Sequence, residues 1–239
     1  MRKGTIMSDA VLEASGLSVV HRTPAGDVHA LSEATLEVHA GEFVVLIGPS
    51  GAGKTTLLHV LGGIQPATTG TVRVGDVVLT EAPERDVDRV RRDDIGYVFQ
   101  SFGLISALSA EENVELPLRI RRVDSRERAD RVAHLLERVG LADHARQRPT
   151  ELSGGQQQRV GIARALAGSP RILLADEPTG QLDSHTAASM IELIASIARD
   201  DGVAVLLSTH DPSIRARADR VLELHNGVLA DGVLSPAGR

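Results

Sequence analysis

Three short apolar runs, Phe43 to Ile47, Ile172 to Ala175 and Val203 to Leu207, stand out because no polar residue alternates within them. They are rich in Val, Ile and Leu, and each leads into turn residues or a polar motif, the pattern of strands covered on both faces. They predict a parallel central sheet. Between the last two runs, Ala187, Ile191, Ile194, Ala195 and Ala198 recur at helical spacing, with Ser184 as the expected N-cap and Gly202 just past the end. This predicts the crossover helix of a βαβ unit.

The N-terminal part has a different pattern. Short β-rich pieces at Leu12 to Val20, Val28 to Val38 and Thr71 to Leu79, separated by Gly, Pro and Asp, predict a small antiparallel sheet beside the core. From Gln100 to Pro149 the spacing turns helical: Ala129, Val132, Ala133, Leu136 and Val139 form a stripe that Ser125 can cap and Gly140 can end. This stretch is the candidate inserted lobe.

Composition narrows the class. A chain of 239 residues has room for one sizeable α/β domain with a small insertion. Its 26 Lys+Arg against 32 Asp+Glu give a net charge of -6, so the overall field does not draw in nucleic acid and any anion must be captured locally. With no cysteine, disulfide scaffolds and thiolate-ligated zinc are excluded, and a reducing compartment is compatible. The apolar runs fall far short of the roughly 20 residues that cross a bilayer as a helix. The charged start, Met1 to Met7, has no apolar stretch behind it, so neither signal peptide nor anchor is expected, and Met7 is an alternative initiator.

The segment Gly48-Pro49-Ser50-Gly51-Ala52-Gly53-Lys54-Thr55-Thr56 directly follows the first apolar run and precedes helical Leu57, Leu58, Val60 and Leu61, which is the strand and helix context a P-loop requires. Its glycines let successive N–H groups turn inward around phosphate oxygens, and the following helix adds its positive end. Lys54 is expected on the β- and γ-phosphates, with the Thr55 hydroxyl on Mg²⁺. Phosphate binding alone is shared by kinases, GTPases and transport ATPases.

A second apolar run ends in Asp176-Glu177, which places two carboxylates at the carboxyl edge of the sheet, where ligands bind. Asp176 is expected to hold Mg²⁺ through water. Glu177 is then free to orient or deprotonate the attacking water. His210 closes a third strand at the same edge, where an imidazole can donate to the γ-phosphate and touch the base. The other eight histidines are first read as ordinary surface or core residues.

Leu152-Ser153-Gly154-Gly155-Gln156-Gln157-Gln158-Arg159 precedes a helical stretch, Val160 to Ala167, and lies between the P-loop and the acidic strand end. With these three motifs the chain resembles, over nearly its whole length, the ATP-binding subunits of ABC transporters. The resemblance implies a P-loop NTPase (RecA-like) parallel-sheet core, an N-terminal antiparallel β subdomain and an inserted α-helical subdomain. It makes residues 8–239 one domain, with the core and β subdomain at about 8–99 and 155–239 and the helical insert at about 100–154. It also implies ATP and Mg²⁺ as ligands and ATP hydrolysis as the activity.

In this family the signature residues Leu152, Ser153, Gly154, Gly155 and Gln156 face the ATP held by a second copy of the chain, so that two nucleotides are sandwiched in a two-fold dimer. The resemblance places Gln100, after the strand Ile95 to Phe99, on Mg²⁺ and the water, and Asp183 of Gly180-Gln181-Leu182-Asp183 across the dimer seam. Where relatives set an aromatic ring on adenine, this chain has His21, whose smaller ring stacks with less area.

Two further segments, Phe99 to Leu104 and Glu112 to Leu118, resemble the branch of MacB-type macrolide exporters, the lipoprotein-release ATPase LolD and the division protein FtsE. That implies a separate FtsX/MacB-like permease as partner, with a short cytoplasmic helix received by the inserted lobe, no nucleic acid, and a place on the cytoplasmic face of the membrane. The alternative is an ABC ATPase acting on DNA or ribosomes. Repair and chromosome types need a long coiled coil and ribosomal types two cassettes, and this sequence has neither. Seven Arg against four acidic residues from Arg119 to Arg138 leave a local excess of positive charge, expected to be a solvated, mixed-charge helix face or else a surface for lipid headgroups or the partner.

Overall fold

A computed structural model describes residues 10–24 and 26–232. The choice between Met1 and Met7 lies outside the described residues.

In chain order the elements are β1 (Ala10–Thr23), β2 (Gly26–His39), β3 (Phe43–Ile47), α1 (Lys54–Leu61), β4 (Thr69–Val74), β5 (Val77–Val78), α2 (Glu84–Asp93), β6 (Ile95–Val98), α3 (Ala110–Ile120), α4 (Ser125–Arg138), α5 (Gly154–Leu166), β7 (Ile172–Asp176), α6 (Ser184–Asp201), β8 (Ala204–Thr209), β9 (Arg220–His225) and β10 (Val228–Gly232). They build two sheets. The antiparallel sheet runs β2-β1-β4-β5, and the core sheet runs β10-β9-β3-β8-β7-β6, parallel throughout except for the antiparallel edge pair of β9 and β10.

The three apolar runs become β3, β7 and β8, side by side in the middle of the core sheet. Every residue of these three strands is buried, alternate side chains going to opposite covered faces. Phe43, Val45 and Ile47 of β3 join Leu173 and Ala175 of β7 against α3 to α6, while Val44 and Leu46 join Ile172 and Leu174 against α1 and the antiparallel sheet. A strand with a water-facing side could not read as an unbroken apolar run.

Helix starts differ from expectation by one residue. Asp124, not Ser125, caps α4 by accepting from Arg126 N, and Asp183, not Ser184, caps α6 by accepting from His185 N and Thr186 N. A carboxylate is as good a cap as a hydroxyl, and it also suits the positive helix end. Gly202 closes α6 in the left-handed conformation, φ 67°. The α4 stripe is rotated from its expected position: Val132, Leu135, Leu136 and Val139 are buried, whereas Ala129 and Ala133 are exposed. Small alanines tolerate either side, so the larger Leu135 decides the face.

The arginine-rich segment is largely used within the chain. Arg119 and Arg128 pair with Glu115, Arg121 with Asp93, and Arg138 with Asp201, while Arg131 donates to Leu166 O at 3.0 Å. This is the mixed-charge helix face.

Candidate nucleotide site

The residues after β3 form a turn that only glycine permits at two points. A Cβ on Gly48 would lie 2.2 Å from Leu224 O, and one on Gly53, which has φ 105°, would lie 2.3 Å from Ala30 O. Gly53 also stands at the N-cap of α1 with no side chain capping it, and no acidic residue occupies the first turn. The helix end is therefore left for an anion. Pro49, Ser50, Gly51 and Thr55 are exposed, Ala52 is buried and Thr56 is partly so. Lys54 is 5% exposed, and its Nζ donates to Gly48 O at 2.9 Å and Pro49 O at 3.2 Å, which folds the loop around the ammonium.

Lys54 Nζ also lies 3.1 Å from Glu177 Oε1. The other carboxylate oxygen of Glu177 is 3.4 Å from Gln100 Nε2 and 3.4 Å from His210 Nδ1. Thus the sheet edge gathers residues that follow β3, β6, β7 and β8 and are far apart in sequence. Glu177 reaches this point through a left-handed backbone, φ 43°, and its N–H is held by Ser208 O and Ser208 Oγ. A non-glycine residue in this region is uncommon, and here it turns the carboxylate back over the strand end.

Ser208 was not foreseen in the sequence. Its hydroxyl donates to Asp176 Oδ1 at 2.7 Å while accepting from Glu177 N, so one buried residue of β8 holds the Asp176 carboxylate and the Glu177 backbone. A serine inside an otherwise apolar strand is the signal that could have pointed to it. Asp176 is 4% exposed. Tyr97 of β6 stacks on Phe99 with ring centroids 4.5 Å apart, and burial, then the Asp176 charge, hold its hydroxyl protonated well above the usual phenol range.

The signature residues lie elsewhere. Ser153 is the N-cap of α5: its Oγ accepts from Gln156 N at 3.3 Å, and Gln156 Oε1 accepts from Ser153 N at 2.8 Å. Leu152 is buried beneath the loop and Ser153 is exposed. A Cβ on Gly155 would meet Thr186 Cγ2 at 2.6 Å, so any larger residue would push on the start of α6. Thr186 in turn donates from Oγ1 to Asp183 Oδ2 at 2.7 Å; this bond and backbone donors hold the Asp183 carboxyl below its usual range. The structure thus brings Asp183 beside the signature helix, while no hydrogen bond among the described residues joins residues 152–156 to residues 48–56.

His21 sits on β1 opposite Val28, and Ala30, two residues further along β2, meets Gly53. The His21 imidazole is exposed.

The class defined by this fold and site is an α/β P-loop ATPase with a separate signature helix. The family model described as "ABC transporter" matches residues 31–180. The chain belongs to the ABC transporter family, as an ATP-binding domain whose characteristic activity is ATP hydrolysis. It is 43% identical over 223 residues to an uncharacterized ABC transporter ATP-binding protein of Mycobacterium tuberculosis, covering 93% of this chain and 90% of the relative. It is 44% identical to the lipoprotein-releasing system ATP-binding protein LolD of Paramagnetospirillum magneticum, over 86% of this chain and 91% of that one. Against the macrolide export ATP-binding/permease protein MacB of Escherichia coli K12 it is 43% identical over 85% of its own length, which spans 32% of that longer protein. Among solved structures, the ATP-binding cassette MJ0796, as a dimer in a post-hydrolysis state bound to ADP and Pi, matches with a TM-score of 0.87 at 36% identity, covering 95% of this chain and 100% of the other.

Proposed function

We propose that two copies of this chain close around two Mg-ATP molecules, each giving its P-loop to one nucleotide and its Ser153 loop to the other, and that this closure drives a separate membrane permease. The observation that carries the reading is the division of the site. Lys54, Glu177, Gln100 and His210 converge at one sheet edge, while Ser153 stands exposed at a helix start with no bond to the P-loop. An exposed helix N-terminus with two glycines can accept a γ-phosphate from outside. The dimeric state of MJ0796 supports the two-fold arrangement.

The donor set fits magnesium. Asp176, Thr55 and Gln100 offer hard oxygens, and no cluster among the described residues could hold a metal by itself, as suits an ion bound chiefly by phosphates and water. Bound there, Mg²⁺ would neutralise charge developing on the phosphates. Within the chain, Glu177 is placed to take the proton of the attacking water through Oε2, with Gln100 and His210 orienting that oxygen. Lys54, released from Glu177, would bind the β- and γ-phosphates. His21 would cover adenine, and Asp183 would cross the seam.

The permease reading is supported by a groove of about 590 Å³ between the core and the helical layer, in which Tyr97, Phe99, Leu116, Pro117 and Ile120 are bordered by charged side chains that include Arg92 and Arg164. Ile120 is 62% exposed at its rim. We assign this groove to a cytoplasmic helix of an FtsX/MacB-like permease, which places the chain at the cytoplasmic face of the membrane; no helix among the described residues is long and apolar enough to cross one. The experiment is co-purification of the tagged chain with its membrane fraction, followed by identification of the bound membrane protein. Recovery of ribosomes or DNA instead of a permease would overturn the assignment.

A further inference from the structure

The signature loop is tied to a residue outside it. Gln156 uses both ends of its amide: Oε1 accepts from Ser153 N at 2.8 Å, and Nε2 lies 3.2 Å from His144 Nε2. The other ring nitrogen of His144, Nδ1, lies 2.7 Å from Gln147 Oε1. An amide oxygen only accepts, so these partners place the imidazole proton on Nδ1 and leave Nε2 as an acceptor for Gln156. The orientation of the Gln156 amide is then fixed from both sides. Turning it over would set its NH₂ against the Ser153 N–H and its oxygen against the lone pair of Nε2.

The loop carrying His144 is itself anchored. Ala110 N and Glu111 N, the first donors of α3, bond to Gln147 O at 2.8 Å and Ala145 O at 2.9 Å, and Gln147 N donates to His144 O at 3.0 Å. These helix-start donors would otherwise need water. His144 therefore approaches Gln156 from a fixed base on α3 rather than from a free loop.

We propose that His144 is a positioning residue for the contact between the signature and the second copy's nucleotide. By accepting from Gln156 it locks the capping box that aims Ser153, and so sets how well the loop engages a γ-phosphate. It touches no substrate itself and acts through Gln156. The inference rests on the two-copy reading above.

The test uses two polar replacements of opposite reach in the Glu177→Gln background, where ATP is expected to accumulate the dimer. In His144→Asn the amide ends where Nδ1 lies, so the link to Gln147 can persist while Gln156 loses its partner. In His144→Gln an oxygen can reach the place of Nε2. Sedimentation with ATP should show dimerisation weakened about tenfold by His144→Asn, the loss of one neutral hydrogen bond in each copy, and restored to within about threefold by His144→Gln. ATP affinity of the single chain should be unchanged in both. With Gln156→Met already present, His144→Asn should add nothing.

Full dimerisation by His144→Asn, or an equal loss with His144→Gln, would overturn the role of His144 alone. Failure of the Glu177→Gln parent to dimerise with ATP would overturn the two-copy reading and this inference together.

Discussion

The Lys54 ammonium lies 3.1 Å from the Glu177 carboxylate, so the group assigned to phosphate and the group assigned to water form one ion pair. Both are shielded, with side chains 5% and 15% exposed. An ion pair this sheltered is costly to break on one side only. On the proposed reading the phosphates of ATP would take over the lysine and leave the carboxylate to water.

Glu177→Gln keeps the shape of the side chain but removes the base. ATP should still bind and drive dimerisation, while steady-state hydrolysis falls about 10²- to 10⁴-fold. Phosphate release assays and sedimentation would measure the two effects separately. Rapid turnover by this variant would take Glu177 out of its assigned role.

Lys54→Ala removes the ammonium from the centre of the loop. A charged hydrogen bond to phosphate contributes about 1.5 to 3 kcal/mol, so direct titration should show ATP affinity lower by about 10- to 150-fold. Unchanged affinity would contradict the P-loop assignment.

His21 is exposed on β1 and is assigned to adenine, and an imidazole offers less stacking area than a phenol. His21→Tyr is expected to tighten ATP binding about three- to tenfold, with a smaller loss for His21→Ala. If neither change moves the affinity, adenine is held elsewhere.

Asn113, fully buried on α3, accepts from Ile105 N and donates to Ile105 O, Leu108 O and Ser109 O, pinning the segment that follows Gln100. Asn113→Ala strands those backbone groups and should cost about 2 to 3 kcal/mol of stability. Calorimetry should register this as a Tm lower by about 4 to 12 °C. A wild-type melting profile would show that the carbonyls find other donors.

Much of the architecture was legible because periodicity encodes it. Unbroken apolar runs marked β3, β7 and β8, and the short β-rich pieces near the N-terminus marked the antiparallel sheet. The C-terminal pair β9 and β10 escaped notice, since Arg220, Glu223 and His225 interrupt its apolar positions. Helix caps were displaced by one residue where a serine follows an aspartate, because both side chains can accept from the helix start.

The sequence by itself determined which two loops are assigned to anions, since glycines at set positions followed by Lys54, or preceded by Ser153, leave backbone N–H groups at a helix start free of bulky side chains. Tertiary structure alone decided which distant side chains meet. That Ser208 holds Asp176 and the Glu177 backbone, and that His144 reaches Gln156, depends on the register of β7 beside β8 and on the anchoring of one loop to α3. A local pattern fixes what a residue can donate or accept, whereas the packing of elements fixes the few ångströms that determine whether it finds a partner.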